Sequence, residues 1–352
     1  MKIAVLLSGG VDSSVALSLL QQQGHDLTAF YLKIWLEDEL AYLGNCPWQE
    51  DLDYAQKVCD KLDVPLEVIS MQQEYHDRIV SYTVSEVAAG RTPSPDVLCN
   101  KFIKFGCFYD KIDESFEKVA TGHYAMIDRT DGLFALKKAK DSFKDQTYFL
   151  SRLSQAQVAR ALFPIGHLLK SEVRSLAQGF DLPTQGRKDS QGICFLGKIK
   201  FSDFIKHHLK DRPGELIEFE TGNAVGKHEG FWYYTVGQRK GIGLSGGPWY
   251  VVKKDVIKNI VYISKNYYSE EKLRNTFAVA DFNWISGASP SKAEFDLKLR
   301  HGENLYRCSI EFLANDTGIV KLQGSDQGIA PGQFAVFYDE DICLGSAVIC
   351  SE

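Results

Sequence analysis

Several things are missing from these 352 residues, and each absence narrows the reading. No apolar run approaches the roughly 18 residues that would cross a bilayer. Met1-Lys2 pass straight into an apolar strand, without the pattern of a cleavable signal. The expectation is a cytoplasmic protein with no membrane contact. Eight cysteines are present, Cys46, Cys59, Cys99, Cys107, Cys194, Cys308, Cys343 and Cys350, but none stand as CxxC and none have zinc-like spacing with histidine. This argues against a disulfide framework, a structural metal and a cysteine-ligated iron–sulfur cluster. Positive charge is also short: the net charge of −6 denies the chain a general nucleic-acid-binding coat, though a local basic groove stays open. Repeats and low-complexity tracts are absent.

What is present is enough apolar residue for a large core, in a chain long enough for two or three domains. "KIAVLL" reads as a buried strand, "SGGVDSS" as a turn, "VALSLLQQQG" as a helix closing at Gly24, and "LTAFYLKIW" as a second strand. "DLDYAQKVCDKL" and "KFIKFGCFYDKI" have helical spacing; "PLEVIS" and "KVATGHYA" read as strands. Strands alternating with helices predict an α/β fold with a parallel sheet covered on both faces. From about Lys200 the pattern changes to a short helix, "KFSDFIKHHLK", and a glycine-rich aromatic stretch. Short strands then alternate to the end, as in a β-barrel. The boundaries drawn are 1–200 for the α/β part, 201–267 for a small central linking domain and 268–352 for the barrel.

The turn after the first strand carries the chemistry. Gly9 and Gly10 let backbone approach an anion, the following helix end attracts it, and Ser8, Ser13 and Ser14 add hydroxyls. The turn matches neither GxGxxG nor GxxxxGK[ST], so dinucleotide binding and γ-phosphoryl transfer lose their signatures. "SGGVDS" resembles the PP-loop ATP pyrophosphatases, whose turn holds ATP while the α-phosphate is attacked and pyrophosphate leaves. On that resemblance Asp12 places Mg²⁺ or orients the loop; its plainer role is a helix-capping carboxylate. A second "SGG" at Ser245–Gly247 lacks the aspartate and reads as a turn.

Two cysteines stand out. Cys99 falls three residues after Asp96 in the first turn of a predicted helix whose buried face is Leu98, Phe102, Phe105, Tyr109 and Ile112. The helix end and Lys101 and Lys104 would lower its pKa, which suits a nucleophile; a buried helix cysteine fits the spacing equally. Cys194 lies in a glycine-flanked segment after Arg187 and Lys188, as suits a thiol that carries sulfur between partners, or a strand cysteine packed beside Phe195.

With "PDVLCNKFIKF", "ATGHYA", "KDQTYFL", "DSQGICFLG", "TVGQRKGIG" and "APGQFAVFY" in order along nearly the whole chain, the sequence resembles the bacterial tRNA-specific 2-thiouridylases. The resemblance implies a PP-loop domain, a central domain and a C-terminal β-barrel acting on tRNA. ATP activates the wobble uridine carbonyl, and sulfur from a protein donor, a cysteine desulfurase or relay protein, replaces the oxygen. It implies Cys194 as persulfide carrier, Cys99 as the partner that closes a disulfide, and Asp96 as acid/base. ATP contacts map to Leu6, Leu7, Ser8, Gly9, Gly10, Val11, Asp12, Ser13, Leu32 and Gly122. Contacts to tRNA map to Ser94, Pro95 and Asp96 at the target base, with His123, Lys144, Asp145, Gln146, Arg300, His301 and Gln333 elsewhere. Ser94 stands where the family has Asn, and His301 where tyrosine is common. The basic stretch Lys198, Lys200, Lys206, His207, His208, Lys210 and Arg212 reads as a phosphate track or as a helix's wet face. A monomer is expected. The alternatives are another PP-loop adenylating enzyme, such as an amidotransferase-type synthetase or lysidine-forming ligase, and a non-catalytic adenine-nucleotide sensor. Neither accounts for the two cysteines.

Overall fold

The computed structural model describes residues 1–34, 48–130, 132–189, 200–272 and 274–351. Its first sheet is built from β1 (Lys2–Leu6), β2 (Asp26–Lys33), β3 (Leu66–Ser70) and β4 (Lys118–Ala120). A hairpin of β5 (Met126–Thr130) and β6 (Leu133–Lys137) follows, and β7 (Ala161–Leu162) completes the sheet. The spatial order is β3-β2-β1-β4-β7, with every neighbouring pair parallel. Ile3, Ala4 and Val5 are fully buried, a continuous run that follows from helices covering both faces. Strand order reverses between β1 and β4, and in such sheets the ligand crevice lies beyond the carboxyl ends at that reversal. "SGGVDSS" follows β1 and "TGHYA" follows β4, so both turns arrive there.

Helix α1 (Val11–Gln22) begins from the first turn and is buried on nearly every side, including Ser13, Ser14 and Ser18. It lies against helix α2 (Trp48–Leu62) and the helix Lys170–Gly179. Buried hydroxyls need partners, and these find their own backbone: Ser14 Oγ donates to Gly10 O at 2.8 Å and Ser18 Oγ to Ser14 O at 2.9 Å. Gly24, at φ +75°, ends the helix as expected.

The central part is a four-stranded sheet, β8 (Gly214–Glu218), β9 (Ala224–His228), β10 (Tyr250–Asp255) and β11 (Ile260–Ser264), in the order β10-β11-β8-β9. The last part contains β12 (Thr276–Trp284), β13 (Glu294–Lys298), β14 (Tyr306–Phe312), β15 (Thr317–Leu322), β16 (Phe334–Asp339) and β17 (Ile342–Ile349). These six run in the order β12-β15-β14-β13-β16-β17, and pairing of β12 with β17 closes them into a barrel. Closure removes the exposed strand edges.

The α/β part and the barrel share structure that the linear division did not anticipate. The β5–β6 hairpin pairs with β17, Ile342 opposite Lys137 and Cys343 opposite Leu136, and so extends the barrel's sheet. Residues 145–153 dock beside it. Tyr148 OH donates to Phe334 O at 3.2 Å, Arg152 donates to Asp281 O at 2.6 Å and to its carboxylate at 2.7 Å, and Asn283 Nδ2 reaches Ser151 O and Leu153 O, both at 3.1 Å.

Candidate functional site

Gly10 is the N-cap of α1, and no side chain caps that helix end. Its first amide N–H groups therefore remain directed at the crevice, as an anion cradle requires. Gly9 has φ +71°, and a Cβ there would collide with the Asp51 carbonyl. Gly122, after β4, backs onto the same helix end: a Cβ would lie 2.6 Å from the Ser13 amide nitrogen. Ser8 Oγ and Ser13 Oγ are 3.2 Å apart, closing the turn on itself. Leu6 and Leu7 are buried at the end of β1, Val11 is buried in α1, and Leu32 packs half-buried at the end of β2. The expected nucleotide contacts thus lie together at the carboxyl ends of β1, β2 and β4.

Asp12 does not cap the helix. It sits inside the first turn, where Oδ1 accepts from Tyr124 OH at 3.0 Å and from Lys170 Nζ at 2.6 Å. Burial, with Asp12 alongside, pushes the Tyr124 phenol up, so it stays a donor. Arg187 donates to Gly9 O at 2.6 Å and to Asp51 Oδ1 at 2.7 Å, pinning the turn to α2. Asp189 accepts from Lys144 and Lys170, both at 2.8 Å, and from Arg174. Desolvation would raise the Asp189 carboxyl, but the bonds from Lys144 and Lys170 outweigh it and hold the group well below the usual carboxylate range. The cations absent from the turn's own sequence are therefore supplied from residues 144–187. The sequence reading missed Lys170, Arg174 and Asp189, and noted Arg187 only as a neighbour of Cys194. One signal was available: Lys170 is the first residue of its helix, where the helix dipole disfavours a cation, and such local conflicts mark functional positions.

Cys99 lies at the start of a wider winding than expected. Pro95–Leu98 is α-helical, Cys99–Cys107 is π-helical, and Phe108–Lys111 returns to α. Leu98, Phe105 and Ile112 are buried as expected, but the i→i+5 bonding of a π-helix adds Ile103 and Phe108 to the buried face and leaves Phe102 and Tyr109 only partly covered. Gln157 Nε2 supports this winding by donating to Lys101 O at 2.8 Å and Phe105 O at 2.6 Å. Cys99 is 1% exposed and shares one core cluster with Leu6, against which Leu32 packs. Lys101 turns its ammonium over the Phe102 ring, 5.3 Å from its centre. Cys194 and Lys198 lie outside the described residues.

The expected RNA contacts divide into two sets. His123 follows Gly122, and its ring lies 6.4 Å from that of Phe105 in the Cys99 segment. Burial, then Lys104, holds its imidazole well below the ordinary histidine range. Gln146 is held by Tyr124, whose amide donates to Gln146 Oε1 at 2.9 Å. The other set gathers around Cys99: Asn100 Nδ2 donates to Phe149 O at 3.0 Å, the His301 ring lies 4.7 Å from the Phe149 ring, and the Thr92 amide donates to Pro331 O at 2.7 Å. Ser94, Pro95 and Asp96 consequently lie near the strand that Gln333 enters. Arg300 is held by Asp326, which also accepts from Tyr306 OH at 2.5 Å.

Asp145, expected at the RNA surface, is enclosed: it is 2% exposed, its Oδ2 accepts from Lys298 Nζ at 3.0 Å, and Thr147 Oγ1 and the Ala139 amide also reach its carboxylate. The basic stretch after Lys200 is mostly exposed, as on a helix's wet face, with Lys206 paired to Asp211 and Glu229 and Arg212 donating to the Val256 and Ile257 carbonyls at 3.5 Å.

Comparison with known proteins agrees with this architecture. Residues 1–198 match the tRNA methyl transferase HUP domain, 202–265 the tRNA methyl transferase PRC-barrel domain and 274–349 the aminomethyltransferase beta-barrel domain. The chain is 46% identical to tRNA-specific 2-thiouridylase MnmA of Parabacteroides distasonis, covering 100% of this chain and 99% of that protein. It is 44% identical to the same-named protein of Porphyromonas gingivalis ATCC 33277, covering 99% of each. Among solved structures, the U34-tRNA thiolase NcsA from Methanococcus maripaludis with its [4Fe-4S] cluster overlaps 58% of this chain and 63% of that one at 16% identity and a TM-score of 0.36, too slight a likeness to carry an argument. Full-length identity at this level, on a parallel sheet, central domain and closed barrel in the same order, places the chain in the tRNA-specific 2-thiouridylase family.

Proposed function

We propose that this chain catalyses ATP-dependent 2-thiolation of the wobble uridine of tRNA, releasing AMP and pyrophosphate. The observation that carries the reading is the uncapped glycine turn at the strand-order reversal, ringed by Lys170 and Arg187, beside the core that holds Cys99. Pyrophosphate loss requires an anion cradle near the α-phosphate, and sulfur delivery requires a thiol near the same base. The uridine oxygen attacks the α-phosphate while the turn's amides hold the departing pyrophosphate. Asp12 Oδ1 is held by Lys170 and Tyr124, so Oδ2 would be the oxygen to hold Mg²⁺, an ion that takes one or two carboxylates together with substrate phosphates and would offset the phosphate charge.

In this reading the terminal sulfur of a Cys194 persulfide attacks C2 and AMP leaves with the former carbonyl oxygen. The Cys99 thiolate then attacks Cys194 Sγ; the sulfur–sulfur bond of the persulfide breaks, a Cys99–Cys194 disulfide forms, and the sulfur remains on the base. The sulfane sulfur is reduced by two electrons and the two cysteines are oxidised by two, so a thiol reductant must reset the enzyme. Asp96 is the acid/base near the base. A cysteine desulfurase or relay protein loads Cys194, and the enzyme works as a monomer divided at 1–200, 201–267 and 268–352.

Mass spectrometry of tRNA nucleosides after reaction with ATP, Mg²⁺, a persulfide donor and unmodified tRNA should show 2-thiouridine. Pyrophosphate release at the same rate without tRNA would count against the reading. Cys194→Ser should lose sulfur transfer and retain ATP binding; normal thiouridine from that variant removes the carrier role.

A further inference from the structure

Four segments distant in sequence deliver charge to one spot at the glycine turn. Asp189 Oδ2 accepts from Lys144 Nζ at 2.8 Å, while Oδ1 accepts from Lys170 Nζ at 2.8 Å and from Arg174 Nη2. Lys170 also donates to Asp12 Oδ1 at 2.6 Å, which holds the group against the uncapped first turn of α1. Among the described residues the side chains of Lys144, Lys170 and Arg174 pair with two carboxylates here, Asp12 and Asp189; a third, Asp141, accepts from the Lys144 and Lys170 backbone amides at 3.2 and 2.9 Å, and the helix end adds positive potential. Every feature that would grip a polyphosphate is present, yet one carboxylate already occupies all three cations.

We infer that Asp189 is a built-in competitor of pyrophosphate, holding Lys144, Lys170 and Arg174 so that a polyphosphate is gripped loosely and leaves readily. The inference rests on the nucleotide-using reading of the turn. It moves Lys144 from an RNA contact to the phosphate side of the site. The physical reason is charge competition. An arriving anion must draw these cations from Asp189 or share them with it, and the carboxylate regains them as the anion departs. Adenylation can reverse for as long as pyrophosphate stays in place, so a competing carboxylate favours the forward reaction. Asp189 is 29% exposed and Lys170 only 15%, so their interaction is screened less than a surface pair.

The test uses the full-length protein without tRNA, with inorganic pyrophosphate as the titrant in calorimetry at fixed ionic strength. Asp189→Asn keeps the side-chain shape and removes the charge. Its pyrophosphate Kd should fall by about tenfold, the low end of what one nearby charge does to another because the site is partly exposed. Asp189→Ser should act in the same direction, Asp189→Glu should bind as the parent does, and Lys170→Met should bind more weakly. Unchanged or weaker pyrophosphate binding in both neutral variants overturns the inference, as does failure of the parent to bind pyrophosphate. Tightening in a protein that forms no thiouridine would support the competitor role while sinking the proposed function, so the two failures are distinct.

Discussion

The buried pair Asp145–Lys298 offers a quantitative test of how the α/β part is joined to the barrel. The two side chains are 2% and 7% exposed and 3.0 Å apart. Lys298→Met removes the ammonium and leaves the Asp145 carboxylate in a nearly dry site. Breaking such a pair from one side costs about 3–5 kcal/mol. The lower end applies here, because Thr147 Oγ1 still donates to both carboxylate oxygens, at 3.0 and 2.9 Å, and the Ala139 amide reaches one of them at 3.2 Å. A loss of about 3 kcal/mol is expected in urea unfolding followed by tryptophan fluorescence, with Trp284 reporting on the barrel. The double variant Asp145→Asn/Lys298→Met removes the stranded charge and should recover most of that loss. As a contrast, Lys137 pairs with Asp341 at 3.1 Å on the surface, and Lys137→Met should leave the midpoint nearly unchanged. A cost below about 1 kcal/mol for Lys298→Met, or a double variant no more stable than the single one, would refute the reasoning. Because Asp145 is enclosed, the double variant should also keep tRNA affinity, measured by filter binding; a loss would return Asp145 to the RNA surface.

Other expectations follow from single contacts. Gly122→Ala places a methyl group 2.6 Å from the Ser13 amide nitrogen, and the strain, about 1–3 kcal/mol, should lower the thermal midpoint and, by displacing the turn, reduce ATP affinity roughly tenfold in equilibrium dialysis; an unchanged midpoint and affinity would refute the close packing. For His123 the folded pKa is depressed, so between that value and about 6.5 the unfolded chain binds more protons and stability rises with pH. Stability should therefore fall as pH drops below about 6.5. His123→Asn should flatten that slope in urea titrations from pH 5 to 7, and an unchanged slope would discount the half-buried imidazole. Gln157→Leu strips the amide from Lys101 O and Phe105 O and should cost about 1–3 kcal/mol in urea unfolding; a neutral result would mean that the π-helical segment does not depend on it.

Much of the fold was legible because it is written in short-range pattern. A continuous apolar run, a glycine turn and a helix closing at Gly24 specify a βαβ opening, and the period-two strands near the C-terminus specify antiparallel β structure. The glycine turn was legible for the same reason, since its conformation depends on Gly9 and Gly10 themselves. The winding around Cys99 was not. By spacing, Phe102 and Tyr109 fit a buried face as well as Ile103 and Phe108 do; the structure buries the latter pair, and Gln157, 52 residues beyond Phe105, supports that winding.

By itself the sequence determined which residues could form a parallel sheet, where its glycine turn must fall, and that two cysteines stood in unusual company, because these depend on neighbours along the chain. Only the tertiary structure decided how charge is arranged at the turn. Lys170 meets Asp12 across 158 positions, and Asp145 is enclosed by a lysine 153 positions away. No periodicity encodes such pairings; they arise when the sheet and barrel pack and desolvated charges must find partners.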